Sequence, residues 1–432
     1  MSEPLRIAIA GLGTVGTGLI ELLRENAALL ERRCGRAIEV VAVSARDRAR
    51  ERGVDLGGFD WYDDAVGMAS QAEVEIVVEL IGGADGPAKA VCEAALGAGR
   101  SVVTANKALI AHHGTALARQ AEDAGLTLAY EAAVAGGIPI IKALREGLAG
   151  NQIDLIYGIL NGTCNYILST MRDTGRDFDD VLEEAQQLGY AEADPGFDID
   201  GIDAAHKLAI LASVAYGAEL AFDKVYVEGI RHVTALDIRF AGELGYRIKL
   251  LGIARRVEGG IEQRVHPCMV PLDSPIAVVE GVYNAVVAHG NFVGATVFEG
   301  KGAGAGPTAS AVAADIIDCA RGAVVPTFNV AAGALTPMRS VDILRHRGAY
   351  YIRLMVMDRP GVFADIAATL RDEEVSMEAI LQRARAPGEP VPVVMTTHDA
   401  EEQAMRRVIE RFAGFETVVE TPCMIRIEQL PR

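Results

Sequence analysis

Arg6-Ile-Ala-Ile-Ala-Gly11-Leu-Gly13-Thr-Val-Gly16 is the stretch that decides the fold. The run before Gly11 reads as a buried strand, and an amphipathic segment from Gly16 to Glu31 reads as the helix behind it. In that strand–turn–helix setting, G-x-G-x-x-G is a dinucleotide fingerprint; alone it would be a weak match. Gly11 permits a tight turn, Gly13 lets the backbone approach a pyrophosphate, and Gly16 lets helix pack on strand. The first turn, Thr14-Val15-Gly16, offers unpaired N–H groups and the positive end of the helix dipole to the anion. A purely structural glycine turn is the alternative.

Outward from this motif, RIAIAG, IEVVAVS, VEIVVEL, SVVTAN and LTLAYEA read as near-continuous apolar strands. Between them lie helix-like stretches such as Pro87 to Leu96 and Leu109 to Asp123. That alternation predicts an α/β protein whose residues 1–133 form a Rossmann-type doubly wound parallel sheet. Residues 134–330 change texture and predict an α+β substrate and dimerisation domain, with a helix over Pro139 to Glu146 and strands DLIYGIL, YRIKLLGIA, HPCMVP and YNAVVAHG. A glycine-rich link, Gly300 to Gly306, leads to a helix within residues 305–322 that is expected to return to the nucleotide domain. Residues 350–428 read as a separate strand–helix–strand–strand–helix–strand unit, removable from about Arg345 onward without loss of catalysis.

Composition limits the function classes. The 432-residue chain carries a net charge of -18, which argues against nucleic acid as a partner. Its six cysteines, Cys34, Cys92, Cys164, Cys268, Cys319 and Cys423, lie far apart with no C-x-x-C pair, so a reducing compartment is expected. No apolar run reaches spanning length; Leu208 to Ala218 is the longest of note. A cytoplasmic protein with no membrane partner is the expectation.

Cofactor choice is written after the second strand, at Val43-Ser44-Ala45-Arg46-Asp47-Arg48. No acid stands at the strand tip to take a ribose 2′-hydroxyl, whereas Arg46 suits a 2′-phosphate, so NADP is preferred and NAD remains possible. A solvated basic loop would look the same. A second constellation, Gly189-Tyr-Ala-Glu192-Ala-Asp194-Pro-Gly-Phe-Asp198-Ile-Asp200-Gly-Ile-Asp203-Ala-Ala-His206-Lys207, places five carboxylates ahead of a very apolar helix. A solvated acidic loop has this composition too. Glycine, proline and aromatic neighbours, and the i, i+4 spacing of Asp203 and Lys207 at the head of a buried helix, favour a site. Lys107, in Thr104-Ala-Asn106-Lys107, falls at the carboxyl end of the fourth strand, where doubly wound sheets bind ligands. As a plain helix-opening lysine it would sit at the unfavourable end of the dipole.

GLGTVG, VVELIGG (Val77 to Gly83), TANK, EAAVAGGIPII (Glu131 to Ile141), NGTCNYIL (Asn161 to Leu168), LGYAEADP and GIDAAHKL together resemble homoserine dehydrogenases, in order and at family-like spacing over roughly the first 330 residues. The resemblance implies reversible reduction of L-aspartate 4-semialdehyde to L-homoserine with a nicotinamide cofactor. It implies Lys207 as general acid, Asp203 as the carboxylate that orients substrate, Lys107 near nicotinamide and substrate, and Glu192 with Asp198 as substrate ligands. An ammonium among so many carboxylates is expected to hold its proton. Ile81, Lys107, Gly189 and the Gly302/Gly304 link match cofactor-contacting positions. Glu131 with Val134, Gly136 and Ile138 matches a sodium site, although on the residues alone a glycine-rich turn is the better reading.

Tyr350 to Val362 resembles the opening of an ACT domain, a ferredoxin-like βαββαβ unit that pairs side by side and binds small amino acids at its strand–helix junction. Here that junction is Asp358-Arg359-Pro360-Gly361-Val362, with threonine the expected effector and a homo-oligomer, dimer or tetramer, the expected assembly. An assembly module without ligand is the alternative. The rival readings of the whole chain are an oxidoreductase for another small aldehyde or keto acid, and a nucleotide-sensing regulator with no need of Lys107 and Lys207.

Overall fold

The computed structural model describes residues 3–383 and 388–431. Six parallel strands, β1 (Leu5–Ala10), β2 (Ile38–Ser44), β3 (Asp60–Tyr62), β4 (Ile76–Glu79), β5 (Ser101–Thr104) and β6 (Leu128–Ala129), form a sheet in the order β3-β2-β1-β4-β5-β6. The order reverses between β1 and β4, which opens a crevice at their carboxyl ends. Alternation along β1 explains its two-sided burial: Leu5, Ile7 and Ile9 join one core, Ala8 and Ala10 the other. The segment after the glycine turn is two helices, Thr14–Glu25 and Ala27–Cys34, interrupted at Asn26, where the backbone leaves helical geometry (φ -98°, ψ 10°).

The helix Ala305–Ala320 packs against Thr14–Glu25, and its Ala309, Val312 and Ile316 enter the core of β1. Gly18 allows this: a Cβ there would lie 3.2 Å from Ala305. Two expected elements differ. Pro139 to Glu146 is a short turn of helix, Ile140–Lys142, followed by a π-helical turn, Ala143–Gly147, where the chain bends out of α-helical register. Part of the glycine link is a strand, Gly294–Lys301, paired in a hairpin with Tyr283–Gly290.

A second sheet runs Gly294–Lys301, Tyr283–Gly290, Ile153–Ile159, Tyr246–Val257, Gly260–Pro271, Cys423–Ile427, Arg347–Met357, Pro390–Thr397, Met377–Leu381. Its last four strands and the helices Val362–Asp372 and Glu402–Ala413 make the βαββαβ unit, with a core of its own around Tyr350, Ile352, Leu354 and Phe412. The unit is not separate. Cys423–Ile427 pairs in parallel with Gly260–Pro271 through Cys268–Arg426 and Met269–Ile427, so one sheet crosses the boundary. Buried charges lock the joint: Arg264 to Glu428, Arg426 to Glu228 and Glu402, and Arg353 to Asp237. Truncation near Arg345 would take away the strand that covers the edge of Gly260–Pro271 and leave Arg264, Glu228 and Asp237 without these partners, so the unit is joined to the rest and not separate as expected. Among the described residues no helix is long and apolar enough to cross a membrane.

Candidate active site

The cleft between the two sheets measures about 760 Å³ and is lined by Thr14, Val15, Lys107, Gly136, Asn161, Gly189, Glu192, Asp198, Asp203, Lys207, Gly302 and Gly304, among others. Its cofactor end is shaped by glycine. At Gly11 (φ +107°) a Cβ would stand 2.4 Å from the Leu80 carbonyl oxygen, and at Gly16 one would stand 2.1 Å from that of Gly11. A Cβ at Gly13 would meet nothing within 4 Å, so this glycine leaves open space in front of the helix start. The helix Thr14–Glu25 has no side-chain cap, which leaves its first N–H groups to face that space. The loops beyond β4 and β5 are stitched by Glu79, whose carboxylate accepts from the N–H groups of Ile81 and Gly82 and from the Thr104 hydroxyl. Ile81 is exposed beside this turn. The fit to a dinucleotide is good: an open cradle, an uncapped helix start and, in the cleft wall, a buried Asn284 carboxamide with neither amide atom partnered.

Arg46 stands exposed just past β2, outside the residues that line the cleft. Arg48 and Arg52 stack over Trp61, while Arg46 has no ion pair among the described residues.

The other end of the cleft is built on three helix starts. Asn106 caps the helix Lys107–Asp123 by accepting from the Leu109 N–H at 3.1 Å, which sets Lys107 at the first position. Gly201 (φ +86°) turns the chain into the apolar helix Ile202–Tyr216, where Asp203 and Lys207 lie one turn apart and are both buried. Asn161 caps Gly162–Thr174. These starts converge on one carboxylate. Asp203 Oδ1 lies 3.0 Å from Lys107 Nζ, and Oδ2 accepts from Lys207 Nζ at 2.7 Å and Asn161 Nδ2 at 2.9 Å. Lys207 also donates to the Leu160 carbonyl at 2.7 Å. Asp198 is half-buried and accepts from Asn161 at 2.8 Å; Glu192 is exposed at the rim.

Burial works against the Asp203 charge, but Lys207 and Lys107 outweigh it and hold the carboxyl far below the ordinary range. Burial likewise opposes the Lys107 charge, and there Asp203, Asp198 and Glu192 win and raise it. At Lys207 burial prevails: its single close carboxylate is shared with Lys107, and its pKa falls. The sequence expects neighbouring carboxylates to hold the Lys207 proton; burial works against them here and lowers its pKa from the ordinary lysine value. Asp198 is pushed up by burial and by Asp203.

Glu131 is buried beneath the cleft, where its carboxylate accepts from the N–H groups of Ile141 at 2.9 Å and Lys142 at 2.8 Å. Burial and Asp315 push it up to about 7. The turn over Val134, Gly136 and Ile138 follows directly, with Ala135 and Gly136 at positive φ. Ile138 already accepts from the Ile140 N–H through its carbonyl. Asp358, Pro360, Gly361 and Val362 stand at the strand–helix junction of the βαββαβ unit, outside the cleft, with Gly361 at φ +101°. Among the described residues, the trio His266, Cys268 and Glu428 could surround a metal, but Arg264 already donates to both His266 and Glu428 as the resident cation. Asn161 and Glu79 are the residues that the sequence reading left without a role. The signal was present for each: an Asn before a helix start, and an acid at a parallel strand's carboxyl end.

Family comparison agrees with this geometry. Residues 139–317 match the homoserine dehydrogenase model, residues 11–131 the model of the homoserine dehydrogenase NAD binding domain, and residues 350–414 that of the ACT domain. The chain is 47% identical over 435 residues to a homoserine dehydrogenase of Pseudomonas aeruginosa, covering 99% of this chain and 100% of that one. It superposes on the crystal structure of a homoserine dehydrogenase from Thiobacillus denitrificans with a TM-score of 0.93 at 46% identity, covering 98% of each chain. A hyperthermophilic archaeal homoserine dehydrogenase in complex with NADPH matches with a TM-score of 0.65 at 29% identity, covering 75% of this chain and 100% of that one. With the fingerprint at one end of the cleft and the shared carboxylate at the other, the chain belongs to the homoserine dehydrogenase family.

Proposed function

We propose that the chain catalyses the reversible reduction of L-aspartate 4-semialdehyde to L-homoserine, with NADP(H) preferred over NAD(H). The observation that carries this reading is Asp203, one buried carboxylate bound by two lysines inside the cleft. The substrate has an ammonium, a carboxylate and an aldehyde, and Glu192 with Asp198 supplies anions for the first. The cofactor, when bound, supplies a hydride to the aldehyde carbon. Lys207 gives the oxygen its proton, and its lowered pKa suits a group that must also take the proton back. Lys107, whose charge is reinforced, stabilises the developing alkoxide. Homoserine oxidation, which needs the neutral Lys207 amine, rises with pH.

An unpaired guanidinium at Arg46 supports the preference for NADP, as does the relative solved with NADPH. Glu131 with the carbonyls of Val134, Gly136 and Ile138 is read as a structural sodium site, an all-oxygen set suited to a hard cation. Threonine is the proposed effector at Asp358 to Val362, acting on a homo-oligomer in the cytoplasm as the end product of its own pathway. Steady-state oxidation of L-homoserine with NADP and with NAD, each with and without threonine, tests the reading. Turnover with both, a preference for NADP and inhibition by threonine are expected. No turnover with either cofactor overturns the reaction, and indifference to threonine overturns the effector assignment.

A further inference from the structure

We infer that Asn161 is a positioning residue for the reaction: through one amide nitrogen it holds Asp198 and Asp203 side by side, setting both the substrate-binding carboxylate and the carboxylate that anchors the two lysines. The inference rests on the homoserine reaction proposed above.

Asn161 is buried at the N-cap of Gly162–Thr174, and its Oδ1 accepts from the Cys164 N–H at 2.8 Å. That bond decides which way the amide faces. Flipped, the NH2 group would point at the helix's own N–H, and the oxygen would point at two carboxylates. With the oxygen committed to the helix, the two amide hydrogens go to Asp198 Oδ1 at 2.8 Å and Asp203 Oδ2 at 2.9 Å. The amide is saturated and has one stable orientation.

The two acids depend on it unequally. Asp203 also has Lys207 and Lys107, so its position is held from three sides. Asp198 has only the Thr163 hydroxyl, at 3.4 Å, as a further side-chain donor among the described residues, and Asp203 repels it. Removing the Asn161 donor therefore frees Asp198 first, and Asp198 is the acid placed to meet the substrate ammonium. A second effect falls on Lys207, which shares Asp203 Oδ2 with Asn161. The charged and titratable groups that face Lys207 are Asp203 on its own helix, Lys107 on the neighbouring helix and Asp198 on the preceding turn, with His206 and Cys164 beyond them. A third carboxylate at position 161 would tilt this set towards the ammonium form.

Two variants test the role in the full-length protein, and both keep an acceptor for the Cys164 N–H. Asn161→Ser takes away the NH2 group that reaches both acids and leaves a single, shorter hydroxyl. The KM for L-homoserine is expected to rise about tenfold or more, the usual loss for a hydrogen bond to a charged group, with a smaller fall in kcat and unchanged NADPH affinity. Asn161→Asp replaces the donor with a charge. The rising limb of kcat against pH for homoserine oxidation is expected to move about one unit to the alkaline side. A purely structural cap would move neither the KM-against-kcat split nor the limb. Wild-type KM and pH profile in both variants overturn the inference, and so does a parallel loss of NADPH affinity and thermal stability. If one variant fails to fold, the other decides. If the wild type itself does not turn over homoserine, the proposed reaction falls; if it does and the variants match it, only the role of Asn161 falls.

Discussion

Two clusters of buried charge in this protein pair cations with carboxylates to opposite ends. At the joint between Gly260–Pro271 and Cys423–Ile427, each buried guanidinium has its own carboxylates: Arg264 with Glu428 and Glu262, Arg353 with Asp237, Arg426 with Glu402 and Glu228. In the cleft, two lysines share Asp203, and the second acid of that group, Asp198, is tied to an amide instead of a cation. In the largely enclosed joint each cation is held by carboxylates of its own, and the charges are not available for chemistry. On the open cleft two ammoniums share one carboxylate, which leaves one of them easier to deprotonate, while Asp198 is held by an amide. The difference supports the proposed roles, chemistry in the cleft and cohesion at the joint.

The largest effect expected from breaking that contrast is at the cleft. Lys207→Ala should lower kcat by about 10²–10⁴-fold, the range for loss of a general acid–base group, with NADPH affinity intact. Activity above about a tenth of wild type would show that Lys207 is not the proton donor. The joint should answer in stability instead. Arg353→Met leaves the buried Asp237 charge with neutral donors alone, those of Tyr351, Thr234 and Cys423 among the described residues, at a cost of about 3–5 kcal/mol in chemical denaturation and with kcat per folded molecule unchanged. Adding Asp237→Asn should recover part of that loss, since removing both charges is cheaper than stranding one. A double variant no more stable than the single one would mean that the pair is not the lock.

The sequence was most legible where local pattern and tertiary role coincide. The glycine fingerprint, the strand IEVVAVS and the βαββαβ order are each set by periodicity and turn residues within about ten positions. Asp203 and Lys207 could be paired because one helix spaces them i, i+4. What could not be read is long-range. The joining of Cys423–Ile427 to Gly260–Pro271 rests on a parallel pairing of strands more than 150 residues apart, which leaves no local mark. The direction of the Lys207 shift depends on how completely the helix Ile202–Tyr216 is enclosed, which a count of nearby acids does not register. Asn161 was visible as a cap, but its second duty depends on two acids brought in from another turn of the chain.

A smaller effect is expected where a charge is solvated. Arg46 is exposed and outside the cleft, so it can act only on the part of a cofactor that reaches past β2. Arg46→Ala should weaken NADP binding about tenfold and leave NAD nearly unchanged, measured as the ratio of the two Kd values. Equal losses for both cofactors would show that Arg46 does not read the 2′-phosphate.

The smallest effect sharpens the contrast at a third group of charges, one in which a single lysine is shared between carboxylates. Glu131 and Asp315 are buried together, with Lys142 the cation that bridges Asp315 and Asp318. Burial pushes Asp315 up to about 6, and burial with Asp315 pushes Glu131 up to about 7. Because both folded-state values lie above the unfolded ones, the folded protein binds more protons in this window. The stability these groups contribute is present below the ordinary value of 4.5 for Glu131 and is lost as pH rises through about 7. A sodium ion on Glu131 would replace the missing proton and offset that loss, but only where the carboxylate is ionised. Thermal melts at pH 5.5 and pH 8, in sodium chloride against tetramethylammonium chloride at equal ionic strength, separate the two ions. Sodium at about ten times its Kd is worth about 1.4 kcal/mol, a rise of about 1–2 °C in Tm for a chain of this size. That rise is expected at pH 8 and should fade at pH 5.5, where protons already neutralise the acids. Equal Tm in the two salts at pH 8 would show that Glu131 and the Val134 to Ile138 turn hold no cation, and that the turn serves the fold alone.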